Sequence, residues 1–483
     1  MSRLGPAPRR MTRITHEVLD QVLCPRNSLD FGPAAETRLP AKQQPPTPST
    51  FLMKRPKPTT PVLAKGRAVV GIDVGKRKHA ATALTPQGEI IAQLAAFGNT
   101  RQGIDLLESA ALRPAGGPGK VLVAMEATGH YWMCLYYELQ RRGYHCVVLN
   151  PLQTNAHSRS QIRKNRNDRI DSEGIARLVL AGEARATRVP NEKTAELRLW
   201  VRHRQRLLHA AGSMERFAHT LVDRVFPEYA ELLSKPFLPS AQKLIRQFGL
   251  APAQLVSQEA EVRQLLRTAS RNRITPATVN RLLEAAKQSI GSRQAENVAQ
   301  RQLVLVFDYL AILRQQIATI EEELETRVEE IGSPLGSLGI TANLVAAIHA
   351  ESDPIQDFRS ADQYVAYAGL DPSSHRSGDT INRHGRISKR GSPTLRRALY
   401  LAAYVVARKH ACFRRFYKKH RRQGKGHTNA LVIVARHLAR VVWRLLTDRR
   451  EFTKRPPKPI PPSNNSKKPA KSTTTPKPVR VTA

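Results

Sequence analysis

Three strand-like runs, residues 68–75, 79–84 and 90–97, follow one another with no room for a helix between them, and the turn Pro86-Gln87-Gly88 joins the last two. Spacing that short admits only antiparallel neighbours, because a parallel crossover needs a dozen or more residues. The pattern then changes to alternation. A helical period covers 103–112, an apolar run KVLVAM (120–125) ends at Glu126, a helix is expected over 131–143, a strand over 144–149 and a helix over 170–180. A meander that passes into helix–strand alternation predicts a mixed sheet rather than a doubly wound parallel one.

This stretch carries four carboxylates at informative places. Asp73 lies in the first run, Glu126 ends the central one, and Asp168 and Asp171 stand three apart, a spacing that points both from one face of a helix. Two-metal phosphodiester chemistry needs oxygen ligands of this kind, on adjacent strand ends and a facing helix, to hold ions ~3.5–4 Å apart. Plainer readings compete: an Asp that caps a turn, a solvated helix face, or ion pairs with neighbouring Arg163, Lys164, Arg166 and Arg169.

The charge balance narrows the partner. The chain has 483 residues, with 78 Lys and Arg against 39 Asp and Glu, a formal charge of +39. A basic excess spread along the whole length points to a polyanion, since each neutralised phosphate releases condensed counterions. A solvated basic surface or attraction to anionic lipid is the alternative, but no apolar run approaches the ~20 residues of a spanning helix and no membrane association is expected. Cys24, Cys134, Cys146 and Cys412 lack metal-ligand spacing and are too sparse for a disulfide framework. They read as reduced thiols of a cytoplasmic protein, and the N-terminus has no apolar signal core.

Composition and periodicity divide the chain into five regions. Residues 1–65, with eleven Lys and Arg, four Asp and Glu and many prolines, are expected to be a disordered basic extension. Residues 66–185 form the α/β domain, and 186–330 a helical region. There Leu197, Trp200, Leu207, Ala211, Met214 and Leu221 share one side of a long helix, while Val306, Leu310, Leu313, Ile317, Ile320 and Leu324 alternate steps of four and three like a coiled-coil seam. That seam packs within one chain or pairs two; pairing is the favoured expectation, with Glu321, Glu322 and Glu323 facing solvent. Residues 331–452 read as a mostly helical domain with glycine-rich turns, and 453–483 as a disordered basic tail.

The C-terminal domain offers a second chemical group. AYAGLDPSSHRSG (366–378) and GRISKRGSPTLRRALYLAA (385–403) combine glycine turns with Arg376, Arg383, Arg386, Lys389, Arg390, Arg396 and Arg397, an arrangement suited to phosphate. A hydroxyl nucleophile there would form a phosphoester that conserves bond energy for rejoining. Ser373, Ser374, Ser377, Ser388 and Ser392 all qualify by residue type, although most serines in basic loops bond phosphate or cap helices. Ser337 to Thr341 forms a glycine turn before an apolar helix, and Phe413, Phe416 and Tyr417 interleave with nine Lys and Arg between Arg408 and Lys425. For that last stretch, base stacking competes with ordinary helix packing behind a basic face.

GIDVGKRKH (71–79), MEATGHYWMCLYYEL (125–139), GYHCVVLNPLQ (143–153) and NDRIDSEGIARL (167–178) resemble the DEDD-type insertion-sequence transposases, which carry an RNase H-like (RuvC-like) N-terminal domain and a serine-bearing C-terminal domain and work with a bridge RNA. The likeness spans roughly residues 67–445. It implies Mg²⁺ or Mn²⁺ at Asp73, Glu126, Asp168 and Asp171, and a nucleophile at Ser377, the serine before glycine in a GLxPxxxxSG block. It also implies DNA and a structured guide RNA as partners, a nucleoid-associated location and a homodimer or dimer of dimers, with phosphates held by Arg163, Lys164, Arg166 and the C-terminal cations. The sequence departs from the family pattern at Arg166-Asn167, where Lys-Thr is usual, and at Ser172, where Ala is usual. The rival readings are a RuvC-like nuclease or junction resolvase, in which Ser377 has no covalent role, and a non-catalytic nucleic-acid-binding protein.

Overall fold

The computed structural model describes residues 63–160, 167–232, 237–294, 296–377 and 381–453. Most of the expected basic extension, the basic tail, Cys24, Arg163, Lys164 and Arg166 lie outside the described residues. Those described divide into two compact units, one ending at Pro190 and the other starting at Asn191.

In the first unit β1 (Ala68–Val74), β2 (Lys78–Leu84), β3 (Ile90–Gly98), β4 (Val121–Glu126) and β5 (His145–Leu149) form one sheet in the order β3-β2-β1-β4-β5. β2 runs antiparallel to β1 and β3, whereas β4 is parallel to both β1 and β5. The mixed sheet expected from the spacing is the one that forms. β1 and β4 read as nearly continuous apolar runs because both their faces are covered. On one face α1 (Arg101–Leu107) and α2 (Trp132–Arg141) pack Ile104, Leu107, Leu135 and Leu139 against Val70, Ile72, Val123 and Met125. α3 (Pro151–Ser160) follows β5, and α4 (Asp168–Leu180) lays Ile175, Ala176 and Val179 on Val69, Leu122 and Ala124 of the opposite face.

The second unit is built on two long helices, α5 (Glu192–Val225) and α11 (Glu296–Ile331), with α6 (Tyr229–Leu232), α7 (Pro239–Phe248), α8 (Pro252–Ser257), α9 (Glu259–Ala269) and α10 (Pro276–Lys287) between them. Ion pairs Glu196–Arg327, Arg204–Glu321 and Glu215–Arg314 fall at opposite progressions along the two helices, so they are antiparallel. The expected interchain role of the heptad seam is corrected by this arrangement. Val306, Leu310, Leu313, Ile317, Ile320 and Leu324 are all buried inside the chain, where an antiparallel neighbour already supplies the apolar surface they need. Glu321 correspondingly faces Arg204 across the pair at 2.5 Å, and Glu323 bonds Arg327, so only Glu322 of the acidic trio is fully exposed. α11 is also long and apolar enough to cross a membrane, contrary to the reading of the primary sequence, yet its seam is committed to the core.

Beyond α11 come α12 (Ala342–Ser352), α13 (Ala361–Tyr367), a hairpin of β6 (Pro372–Ser377) and β7 (Ile381–Ile387), then α14 (Pro393–Lys409), α15 (Ala411–Arg422) and α16 (His427–Asp448). The hairpin was not legible as strands; its serines and arginines read as loop. Its base is stitched tightly: Ser388 N–H donates to Asp371 O at 2.8 Å and Ser392 N–H to Tyr367 O at 2.9 Å. Gly391 is obligatory there, since a Cβ would lie 1.8 Å from Tyr367 O.

Candidate active site

Strand parity carries Asp73 and Glu126 to the same place. Val69 packs on the α4 face, so Gly71 and Asp73 point there too, and Leu122 and Ala124 do the same for Glu126. β1 and β4 are parallel neighbours, with Ile72 opposite Met125, so the two carboxylates emerge side by side from adjacent strand ends. α4 lies unusually close above them: a Cβ at Gly71 would stand 2.2 Å from Ser172 O and 2.6 Å from Ala176 N. Any larger residue at position 71 would lift α4, and with it Asp168 and Asp171, off the sheet.

The start of α4 accounts for Asn167 and Ser172, two of the residues that depart from the family pattern. Asn167 caps the helix, its side chain accepting from Arg169 N–H at 2.7 Å, a role Thr also fills. Ser172 is fully buried and hydrogen-bonded to Thr82 Oγ1 at 2.9 Å, which ties α4 to β2 one residue beyond Asp171. Arg169 turns away to Gln93 at 3.1 Å on the edge strand.

Asp73, Glu126 and Asp171 line one open cleft of about 190 Å³, together with Thr154, His157 and Ile170. Asp168 does not line it; it occupies the exposed first turn of α4. Its charge nevertheless reaches Asp73. Burial, then repulsion from Asp171, Asp168 and Glu126, pushes the Asp73 carboxyl up from 3.8 to about 6, against a smaller opposing pull from the Val74 backbone N–H. Among the described residues no three His, Cys, Asp or Glu stand close enough to hold a metal as they are, consistent with carboxylates that repel one another across a polar cleft. By chemistry the donor set fits a hard divalent cation: it is all oxygen, and its mutual repulsion is what a cation would relieve.

Two partners of Glu126 escaped sequence reasoning. Thr154, on the first turns of α3, donates its hydroxyl to Glu126 Oε2 at 2.7 Å, sharing that proton with Pro151 O at 3.0 Å, and Thr128 reaches Oε1 at 3.4 Å. Only the return of β5 beside β4 brings Thr154 within reach, so no local motif announces it; Thr128, two residues after Glu126, was the more discoverable. Replacing Thr154 with Val, which keeps shape and removes the donor, is expected to weaken Mn²⁺ binding about tenfold. Replacement with Ser should restore it. A Mn²⁺ titration followed by calorimetry reads the effect directly, and an unchanged affinity would show that Thr154 does not orient the carboxylate.

In the second unit, the residues expected to bind phosphate are less gathered. Ser377 closes β6 opposite Ile381, and the side chains of residues 373–377 and 381–386, Arg376, Arg383 and Arg386 included, lie outside those described. Arg396 donates to Ala368 O at 3.2 Å, supporting the hairpin base. Arg397 is half-buried, its pKa lowered by burial and then by the nearby Arg204 cation. Lys389 and Arg390 are exposed beside the same turn. Ser388 and Ser392 are occupied structurally, by Asp371 and by the buried Glu351 at 3.0 Å. Glu351 in turn binds Arg202 of α5 at 3.0 Å.

A mixed sheet that gathers carboxylates at adjacent strand ends, in a chain this basic, defines an enzyme acting on nucleic acid. A profile of DEDD-type IS110 elements, described as "Transposase", matches residues 70–227, and the "Transposase IS116/IS110/IS902 family" profile matches residues 337–418. The IS116 uncharacterized 44.8 kDa protein of Streptomyces clavuligerus is 26% identical over 81% of this chain and 97% of its own length. A probable family 20 transposase of Pseudomonas aeruginosa is 25% identical over 69% of this chain and 86% of its own. The pilin gene-inverting protein of Moraxella lacunata is 31% identical over 20% of this chain and 31% of its own. The chain belongs to the IS110/IS116 family of DEDD transposases.

Proposed function

We propose that this transposase excises and integrates its own insertion sequence by metal-dependent strand cleavage and rejoining, through a covalent serine–DNA intermediate and under the guidance of a bridge RNA. The observation that carries the metal-dependent half is the convergence of Asp73, Glu126 and Asp171 on one cleft beside the mixed sheet. Mg²⁺ or Mn²⁺, when bound, would stabilise the charge that builds on the phosphate oxygens during displacement. Asp73, Glu126, Asp168 and Asp171 are the residues to hold it, and Thr154 keeps one Glu126 oxygen oriented.

Ser377 supplies the nucleophile. Its hydroxyl oxygen bonds to the phosphorus, the bond from phosphorus to the 3′ oxygen breaks, and the serine proton passes to that departing oxygen, leaving a 5′ phosphoserine and a free 3′ hydroxyl. Attack by another 3′ hydroxyl reverses the exchange and restores the serine, so no external energy is consumed. Phosphates are gripped by Lys389, Arg390, Arg396 and Arg397, with Arg163, Lys164, Arg166, Arg376, Arg383 and Arg386 in the same role. A homodimer or dimer of dimers is supported by a second apolar stripe on α11, Val298, Leu305, Tyr309 and Ile312, each about half or more exposed at steps of seven, four and three. Action on chromosomal DNA implies a cytoplasmic, nucleoid-associated protein.

Replacing Asp171 with Asn tests the metal site. Mg²⁺-dependent cleavage of element-end DNA is expected to fall at least ~10²-fold, with duplex binding in EDTA unchanged. Undiminished cleavage would remove Asp171 from the site.

A further inference from the structure

Residues 380–447 contain 18 Lys and Arg and not one Asp or Glu. The densest part is α15, whose two sides differ completely. Phe413 is buried, and Phe416 and Tyr417 are half-buried against the helical core, Tyr417 also hydrogen-bonded to His427 Nδ1 at 2.7 Å. The aromatic rings are therefore spent on packing, and the base-stacking reading of this stretch loses its stacking platform. Arg414, Arg415, Lys418, Lys419, Arg421 and Arg422 are all exposed. At 100° per residue they cover about 160° of the helix, the side away from the core.

Nothing among the described residues explains so much charge. Among the described residues none of the six has a carboxylate at ion-pair distance; their recorded partners are backbone carbonyls, Arg408 O for Arg414 and Lys425 O at 2.9 Å for Arg421. Cations in the last turn favour the helix dipole, but Arg414 closes the first turn and Arg415 follows it directly, at the end where the dipole opposes cations. Arg414–Lys418, Arg415–Lys419 and Lys418–Arg422 are like charges at i,i+4, and each such pair costs a helix roughly 0.2–0.5 kcal/mol. A helix assembled from repelling pairs, with its apolar side already used, is organised for an external polyanion.

We propose that the outward face of α15 docks the sugar–phosphate backbone of duplex DNA in this transposase. Duplex DNA is favoured over RNA because its major groove admits an exposed helix, whereas the A-form major groove is too narrow and deep. A face of cations with no Asn or Gln among them grips phosphates rather than reading bases. The inference rests on membership of a DNA-transposing family and not on the carboxylate site.

The test replaces Arg414, Arg415, Lys418 and Lys419 together with Gln in the full chain. Affinity for a 30-base-pair DNA duplex and for RNA of the same sequence is measured across a salt series, beside thermal unfolding. Each lost phosphate contact lowers the slope of log affinity against log salt by about 0.9, so the DNA slope is expected to fall by about 2–4. The RNA slope should change less. An unchanged DNA slope, or a larger loss on RNA, would overturn the proposal. A Lys418→Gln/Lys419→Gln variant, expected to lose about half as much slope, carries the test if the fourfold variant unfolds.

Discussion

Asp73→Asn is expected to lower Mg²⁺-dependent strand cleavage by about 10³-fold or more while making the metal-free protein more stable. Both effects follow from one environment. Asp73 is held in a partly buried strand end with three carboxylates acting on it, and its pKa rises from 3.8 to about 6. A carboxyl that titrates higher when folded than when unfolded destabilises the fold wherever it is ionised. The cost is absent below about pH 4, grows as pH rises, and is complete above about pH 6. A shift of this size corresponds to an upper bound of about 3 kcal/mol, and solvent screening in an open cleft reduces it to about half. Urea unfolding in EDTA at pH 7.5 should therefore place the Asn variant about 1–2 kcal/mol above the parent, with the difference vanishing near pH 4. Saturating Mg²⁺ should reverse the order, because only the parent gains binding energy on folding. A variant no more stable than the parent in EDTA at neutral pH would mean that Asp73 does not carry this electrostatic load.

Ser377→Ala should eliminate a protein–DNA adduct that survives denaturation, with no change in duplex binding or in the salt dependence of that binding. Loss of the hydroxyl removes the atom that bonds phosphorus, so the effect is all-or-none rather than graded. The same variant separates the readings of the family. A RuvC-like nuclease uses water as nucleophile and would still cut DNA after the substitution, whereas a serine-based recombinase would stop before strand exchange. An adduct that persists in Ser377→Ala, mapped by peptide mass to another serine, would reassign the nucleophile. Ser388 and Ser392 are poor substitutes, each already hydrogen-bonded to a carboxylate that anchors the loop below the hairpin.

Much of the site could be read from the chain because its logic is local. Asp73 and Glu126 end apolar strands whose parity is visible in the residues themselves, and the meander before β4 leaves few ways to arrange the sheet. The block EATGHYW and the pair Asp168 and Asp171 carry the family pattern in short contiguous stretches. The heptad spacing of α11 was equally plain, yet it misled. Periodicity states that one side of a helix must be covered and says nothing about what covers it; here α5 of the same chain does.

The amino-acid sequence alone determined the order of the five strands of the first sheet, the acidic positions and the pull toward a polyanion, since these depend on spacing and on charge. Only the folded structure decided which non-local partners meet. It set Thr154 against Glu126 across two strands, pressed α4 onto the bare Cα of Gly71, and turned the aromatic side of α15 inward so that its cations face out. Contacts of that kind arise from packing between segments far apart in the chain, where a residue's neighbours are chosen by the shape of the assembled core and not by its own type.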